Sequence, residues 1–358
     1  MAYLKLYKSK LTHNYNYLSE LFLDRQISWG VVSKLLCGNT RFLKEMIDLG
    51  VTELHDTRIS NLKTIKKMAP HVQTVYIKPP AKRSISSVIK YADVSFNTDL
   101  YTLQLLSKEA VSQQKKHKVI IMIEMGDLRE GVMGEDLVAF YEQVFRLPNL
   151  QIVGIGTNLN CLNGVLPNQD KLIQLSLYKQ LIEAKFKRSI PWISGGTSVT
   201  LAMLIKNQLP AGVNHFRVGE TLFFGNDLFT GNAFPQMKSH IFRLFAEIIE
   251  LYEKPMVPIG AQGENVSGHT PQFNEEDMGK TSYRAIIDVG LLDINPDYLT
   301  PVDPSVHIIE ASSDMLVVDL GDDPGKYSTG SLIAFNVQYM GVLALMNSHY
   351  IDKVVEED

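Results

Sequence analysis

Lys34 closes the apolar run Trp29-Gly30-Val31-Val32-Ser33-Lys34, after which small and polar residues turn the chain into a helix. An amine at the carboxyl end of a buried strand is a costly placement, because burial penalises its charged form. The placement makes sense for a neutral, nucleophilic amine, as in a Schiff-base lysine; the ordinary alternative is a stem that snorkels into solvent. A second signal is Ser194-Gly195-Gly196-Thr197-Ser198, which leads into a helical stretch. Glycines allow close backbone approach, hydroxyls donate, and helix-start amides carry partial positive charge. The run therefore reads as a phosphate cradle, and equally as a turn with an N-cap. Together, an amine and a phosphate cradle are what pyridoxal 5′-phosphate requires.

Such residues need a scaffold that gathers strand ends. From Val31 onwards, short apolar strands alternate with helical spacing: strands at 51–55, 73–78, 94–97, 119–124, 152–158, 192–194 and 215–218. With the opening strand this makes about eight strand–helix units, close to the size of a (β/α)8 barrel; an open doubly wound sheet is the competing architecture. In a parallel barrel the chemistry sits where strands end and loops begin. The reactive residues at those ends are Lys34, His55 and Asp56, Asn97, Arg129, Asn158, Asn160 and Cys161, Ser194 to Ser198, and Arg217 to Glu220. A plain alternative for Arg217 is a surface ion pair with Glu220.

Past about residue 235 the texture changes to strands without helices, at 242–252, 283–289, 306–310, 315–320 and 332–337. The expected organisation is α/β: an N-terminal (β/α)8 barrel over 9–234, then a mostly antiparallel β-domain over 235–358 that also takes the N-terminal strand, 2–8. The segment 260–280 reads as a long loop, 339–350 as a helix, and 352–358 as a charged tail.

Composition limits the function classes. A net charge of −4 leaves no basic excess for nucleic acid. Two cysteines, Cys37 and Cys161, are too few for a disulfide scaffold or a four-cysteine zinc site and fit a reducing cytoplasm. No signal-like run or membrane span is visible, so a cytoplasmic protein with no membrane partner and no metal is expected.

Several motifs in order resemble the alanine racemase family, the fold-type III pyridoxal-phosphate enzymes, and most of all its ornithine-racemase-like branch. They are Val31-Val32-Ser33-Lys34, the Gly126, Arg129 and Gly131 positions of 124–131, Gly-Gly-Thr-Ser at 195–198, and Phe216-Arg217-Val218-Gly219-Glu220. Ser312-Ser313-Asp314 with the strand after it, and the helix opened by Tyr339, complete the set. The resemblance implies that Lys34 holds the cofactor and that Arg217 faces its ring nitrogen. Arginine does not give up its proton, so that nitrogen stays unprotonated and reprotonation at Cα is favoured over side reactions. It also implies that Arg129 contacts the cofactor phenolic oxygen or the substrate carboxylate, that Thr197, Ser198, Gly219 and Tyr339 hold the phosphate, and that Asp314 orients the site. A homodimer in which one subunit's β-domain closes the other's site follows from the same resemblance.

The chain departs from the family at three places. Asn158 stands for a histidine after the sixth strand and is carried over as a cofactor-binding position. Gly38 stands where a tyrosine follows the cofactor lysine. Leu291, in Gly290-Leu291-Leu292-Asp293, replaces the tyrosine that serves as second base. Racemisation needs an acid–base group on each face of a planar carbanion. Lys34 serves one; Asp293, Asp314, Cys161, Tyr283 and Tyr298 are candidates for the other. The expected activity is interconversion of the L and D forms of a small-molecule amino-acid substrate, ornithine-like or broad in side chain. The alternatives are a D-amino-acid lyase or aldolase, whose metal the spacing of His240, His269, His307 and His349 does not supply, and a cofactor carrier without turnover.

Overall fold

The computed structural model describes residues 2–264, 268 and 270–356, so His269 and part of the 260–280 segment lie outside the described residues. The backbone divides into two compact units, Ser9–Ser239 and a second built from Met1–Lys8 with His240–Asp358.

Strand β1 (Tyr3–Leu6) belongs to the second unit. The first unit carries β2 (Ser28–Val32), β3 (Glu53–Asp56), β4 (Gln73–Tyr76), β5 (Val94–Asn97), β6 (His117–Met122), β7 (Leu150–Gly156), β8 (Trp192–Ser194), β9 (Gly196–Thr197) and β10 (His215–Val218). Their order is β8-β7-β6-β5-β4-β3-β2-β10-β9, and every pairing is parallel. The two ends of that path, β8 and β9, are successive pieces of one segment separated by Gly195 alone. The first piece bonds to β7 and the second to β10, so this broken strand closes the sheet into the expected barrel.

Helices return the chain between strands because parallel pairing needs a crossover. Thr40–Asp48 shows how the sequence sets one: Phe42, Leu43 and Met46 line its buried face, and the Asn39 side-chain oxygen accepts from the N–H groups of Arg41 and Phe42, both at 3.1 Å. Inside the barrel, Val75, Val94, Phe96, Ile120, Met122 and Val153 pack as one apolar cluster. Strands β3 and β10, on either side of β2, contribute Glu53, His55, His215 and Arg217, all buried.

The second unit is a sheet of β11 (Phe242–Pro255), β12 (Thr281–Ile287), β13 (Leu299–Pro301), β14 (His307–Ala311), β15 (Leu316–Asp319) and β16 (Leu332–Val337), in the order β13-β16-β11-β12-β15-β14. Its pairings are antiparallel, and β1 joins along β11. Phe242, Leu244, Ala246 and Ile248 are buried at alternate positions of β11, the period of a half-buried strand. One expectation is overturned here. The segment expected as a charged tail forms β17 (Asp352–Val355), parallel to β1, because Val354 and Val355 share its acidic stretch and the edge of β1 offers unpaired backbone groups. Among the described residues no helix is long and apolar enough to cross a membrane.

His117, the first residue of β6, is 2% exposed, and its Nε2 pairs with Ser95 Oγ at 2.7 Å. Burial pushes its pKa from 6.5 down to about 4, so the folded chain keeps it neutral where the unfolded chain binds a proton. The unfolded state then holds more protons between those two values, and stability falls as pH drops through that window, by roughly 3 kcal/mol for this group. Urea unfolding at a series of pH values checks this: His117→Gln should show a shallower acid loss than the unmodified chain.

Candidate active site

Lys34 sits two residues beyond the end of its strand's regular pairing. β2 ends at Val32, and Ser33–Leu36 form a single 3-10 turn. Ser33 pins that turn to β3: its hydroxyl donates to the His55 carbonyl at 3.1 Å and to Asp56 Oδ2 at 3.2 Å. Burial raises the Asp56 pKa, opposed by hydrogen bonds from Arg58, Asn61 and Ser33. Cys37 ends the turn in the left-handed region, and Gly38 follows at φ +74° with the space for a Cβ already taken by Asn61 Oδ1 at 2.6 Å. That explains why no tyrosine stands at 38: the turn admits no side chain there. The Lys34 side chain itself is exposed on this chain, contrary to the expectation of a desolvated amine at a strand end, because the 3-10 turn lifts it above the barrel rim. Its charge acts on the carboxyl of Glu220, which burial raises and Lys34 lowers.

Arg217 is the opposite case, 4% exposed inside the barrel. Its Nη1 donates to Ser194 O at 2.5 Å and Ser194 Oγ at 2.6 Å; its Nη2 donates to Thr157 O and Asn158 Oδ1, both at 2.7 Å. The guanidinium also lies 5.2 Å from the centre of the Phe96 ring. Burial lowers its pKa to about 10, which leaves it a cation at neutral pH. The surface ion pair with Glu220 is therefore absent: Arg217 spends its hydrogen bonds on the ends of β7 and β8. Four of its five N–H groups are committed, and among the described residues only Nε–H has no acceptor.

A polar chain continues from Arg217 into the loop after β6. Asn158 accepts from Arg217 and donates to Glu130 Oε1, and Glu130 forms a two-pronged ion pair with Arg129, Nη2 to Oε1 at 2.8 Å. Glu130 thus joins the two arginines that sequence reasoning singled out, yet it was not itself a candidate. Its adjacency to Arg129 was visible, but its bridge to Asn158 is a product of the fold. Asp127 ties the same loop to the one after β7: its carboxylate accepts from the N–H groups of Cys161, Leu162, Asn163 and Val165 at 2.9 to 3.3 Å. Burial alone would raise the Asp127 pKa, and these four amides hold it below the ordinary carboxylate value.

At the closing segment, Ser198 is buried and its Oγ accepts from Gly219 N at 3.2 Å and Thr221 N at 3.3 Å. The expected helix of the cradle begins only at Leu201, so the amides converging here come from the segment after β10. The Ser198 O–H has no acceptor among the described residues. The barrel thus gathers Lys34, Arg129, Asn158, Thr197, Ser198, Arg217 and Gly219 at the carboxyl ends of its strands.

Asp314 and Tyr339 belong to the other unit. Asp314 is exposed, with the hydroxyls of Ser312 and Ser313 at 3.4 and 3.3 Å from Oδ1, and Tyr339 opens the helix Tyr339–Asn347. Leu291 and Leu292 donate their N–H groups to the carbonyls of Ser312 and Ser313, so the turn that lacks the tyrosine lies directly against Asp314. Of the other candidates for the second face, Asp293 accepts from Ser348 Oγ at 2.7 Å and Cys161 is exposed in the loop that Asp127 caps.

Residues 7–227 match the family described as the alanine racemase N-terminal domain. The chain is similar to an ornithine racemase of Acetoanaerobium sticklandii, 35% identical over 96% of this chain and 97% of that one. It is also similar to a lysine racemase of Thermotoga maritima, 30% identical over 97% and 96% respectively. Among solved structures, an alanine racemase of Clostridium difficile superposes with a TM-score of 0.77 at 15% identity, covering 100% of this chain and 96% of that one.

Proposed function

Since the chain belongs to the alanine racemase family and is an amino-acid racemase, we propose that it works with pyridoxal 5′-phosphate and takes a substrate with a basic side chain, of the ornithine or lysine kind. The side-chain class rests on the two racemases it resembles over nearly their whole length.

The donor set fits that cofactor. Among the described residues Ser198 O–H and Arg217 Nε–H are donors without acceptors beside the Lys34 turn, and they suit a phosphate and an acceptor-only ring nitrogen. Arg217, locked by four hydrogen bonds with one donor to spare, is the observation that carries the reading. When bound, the cofactor withdraws electrons from the substrate Cα and so weakens its C–H bond. Lys34 anchors the cofactor, and its Nζ takes and returns the α-proton on one face. Arg217 donates through Nε and, as a permanent cation, gives no proton to the ring. Arg129, oriented by Glu130, binds the substrate carboxylate. Asp314 of the β-domain serves the opposite face by orienting the group that reprotonates Cα. In this reading the working form is a cytoplasmic homodimer with shared sites. Mixing Lys34→Ala and Asp314→Ala protomers should then restore activity that neither variant shows alone.

Exchange of the α-proton in D2O, followed by NMR over a panel of L- and D-amino acids, tests the whole proposal. Exchange with inversion on ornithine or lysine is expected. Cleavage products would identify a lyase, and no exchange on any member would leave a carrier.

A further inference from the structure

Behind Arg217 the barrel interior holds three more polar side chains that the reaction does not use. Glu53 Oε1 is shared by His55 Nε2 at 2.5 Å and His215 Nε2 at 2.9 Å. His215 Nδ1 lies 2.7 Å from Ser194 Oγ, and Ser194 Oγ accepts from Arg217 Nη1 at 2.6 Å. Glu53, His55, His215 and Ser194 are all buried, and the His215 ring is stacked on Trp192 with centroids 4.6 Å apart.

Burial works against a charged Glu53, yet the two histidines hold its pKa below the ordinary carboxylate range. Burial pushes His55 down, so it is neutral. A carboxylate only accepts, so both Nε2 atoms carry their protons towards it. His55 Nδ1 is then a bare lone pair, and it is a buried atom without a partner among the described residues. An unpaired lone pair is the less costly half of an imidazole to leave unmet. With one proton, on Nε2, the His215 ring accepts at Nδ1, so that in the relay Ser194 donates there and receives from Arg217. Every proton in the row points the same way, from the cation to the anion.

We propose that Glu53, His215 and Ser194 form a directed relay that serves as a positioning device for Arg217, fixing the plane of its guanidinium and supplying its remote counter-charge, with His55 as the lateral brace of Glu53. The proposal deepens the racemase reading and rests on it for the role of Arg217. A strand neighbour supports it independently. A Cβ at Gly30 would stand 2.4 Å from His55 Nε2 and 2.8 Å from Glu53 Oε1, so β2 leaves open the space the relay fills. The glutamate and two histidines could also hold a metal ion. Their ligand atoms are already within hydrogen-bond distance of one another, which favours the relay.

The test uses the full chain, with and without cofactor. In the chain without cofactor, nitrogen-15 NMR should give His215 as the Nε2–H tautomer and resolve separate, slowly rotating Nη signals for Arg217. Glu53→Gln and His215→Phe should average those signals. In the loaded enzyme the same variants should lower kcat roughly 10- to 100-fold, with KM little changed. His215→Gln presents a donor and an acceptor at a similar separation and should recover part of both readouts. If His215→Phe does not fold, Ser194→Ala breaks the row at a small side chain and is read the same way. The relay is overturned by sharp Arg217 signals and unchanged kcat in Glu53→Gln, by His215→Gln behaving like His215→Phe, or by a stoichiometric divalent ion in the purified protein. Loss of the Arg217 signals in the variants of a protein that racemises nothing would keep the relay and reject the racemase reading instead.

Discussion

Lys34→Ala should abolish racemisation, by at least about 10⁴-fold in kcat, while leaving the unfolding midpoint within the spread of an ordinary surface substitution. Both halves of that expectation come from the same geometry. The turn that carries Lys34 is held by Ser33, Asp56 and the left-handed pair Cys37 and Gly38, none of which needs the lysine side chain. The amine is exposed on the chain and makes no hydrogen bond among the described residues, so its removal breaks no packing. In the proposed mechanism its loss removes the cofactor anchor and the base of one face together. Urea unfolding of the cofactor-free chain measures the first half, and α-proton exchange with the visible absorbance of lysine-bound cofactor measures the second. A variant that keeps both absorbance and exchange would remove Lys34 from the mechanism.

The barrel was legible because its strands carry their pattern locally. Val119 to Ile123 is an unbroken apolar run, and each strand is followed by a helix-spaced segment, so eight units could be counted without any contact known. The positions of Lys34, Arg217 and Ser198 at strand ends were legible for the same reason. What was not legible depends on which side chains meet across the barrel. Glu53 and His215 are 162 residues apart, and nothing in the spacing of either suggests that they share a hydrogen bond. The bridge from Arg217 through Asn158 to Glu130 is equally a consequence of strand order. Register was the other blind spot. The expected tail at 352–358 is too acidic to read as a strand, and its pairing to β1 exists only because the chain's first residues lie alongside it.

Arg217 separates charge from shape, because two substitutions remove them independently. Arg217→Met keeps most of the volume and removes every donor. The carbonyls of Ser194 and Thr157 and the Asn158 amide oxygen then lose the guanidinium, Ser194 O keeping only the Thr157 N–H at 3.3 Å, and in the proposed relay the Glu53 anion loses its remote counter-charge. Leaving these acceptors without the charged donor they share costs about 3–5 kcal/mol, which in a unit of this size lowers the unfolding midpoint by about 10 °C. Arg217→Lys keeps the cation and can satisfy up to three of those acceptors, so it should retain most of the stability. It cannot keep a planar fork and also direct a fifth donor along Nε, so kcat should fall by at least roughly 100-fold and cofactor should be held less tightly. Calorimetry on the cofactor-free variants and single-turnover racemisation on the loaded ones give the two axes. A lysine variant as active as the unmodified enzyme would mean that a positive charge beside the ring is sufficient. The barrel's four-point grip on Arg217 would then serve the fold alone.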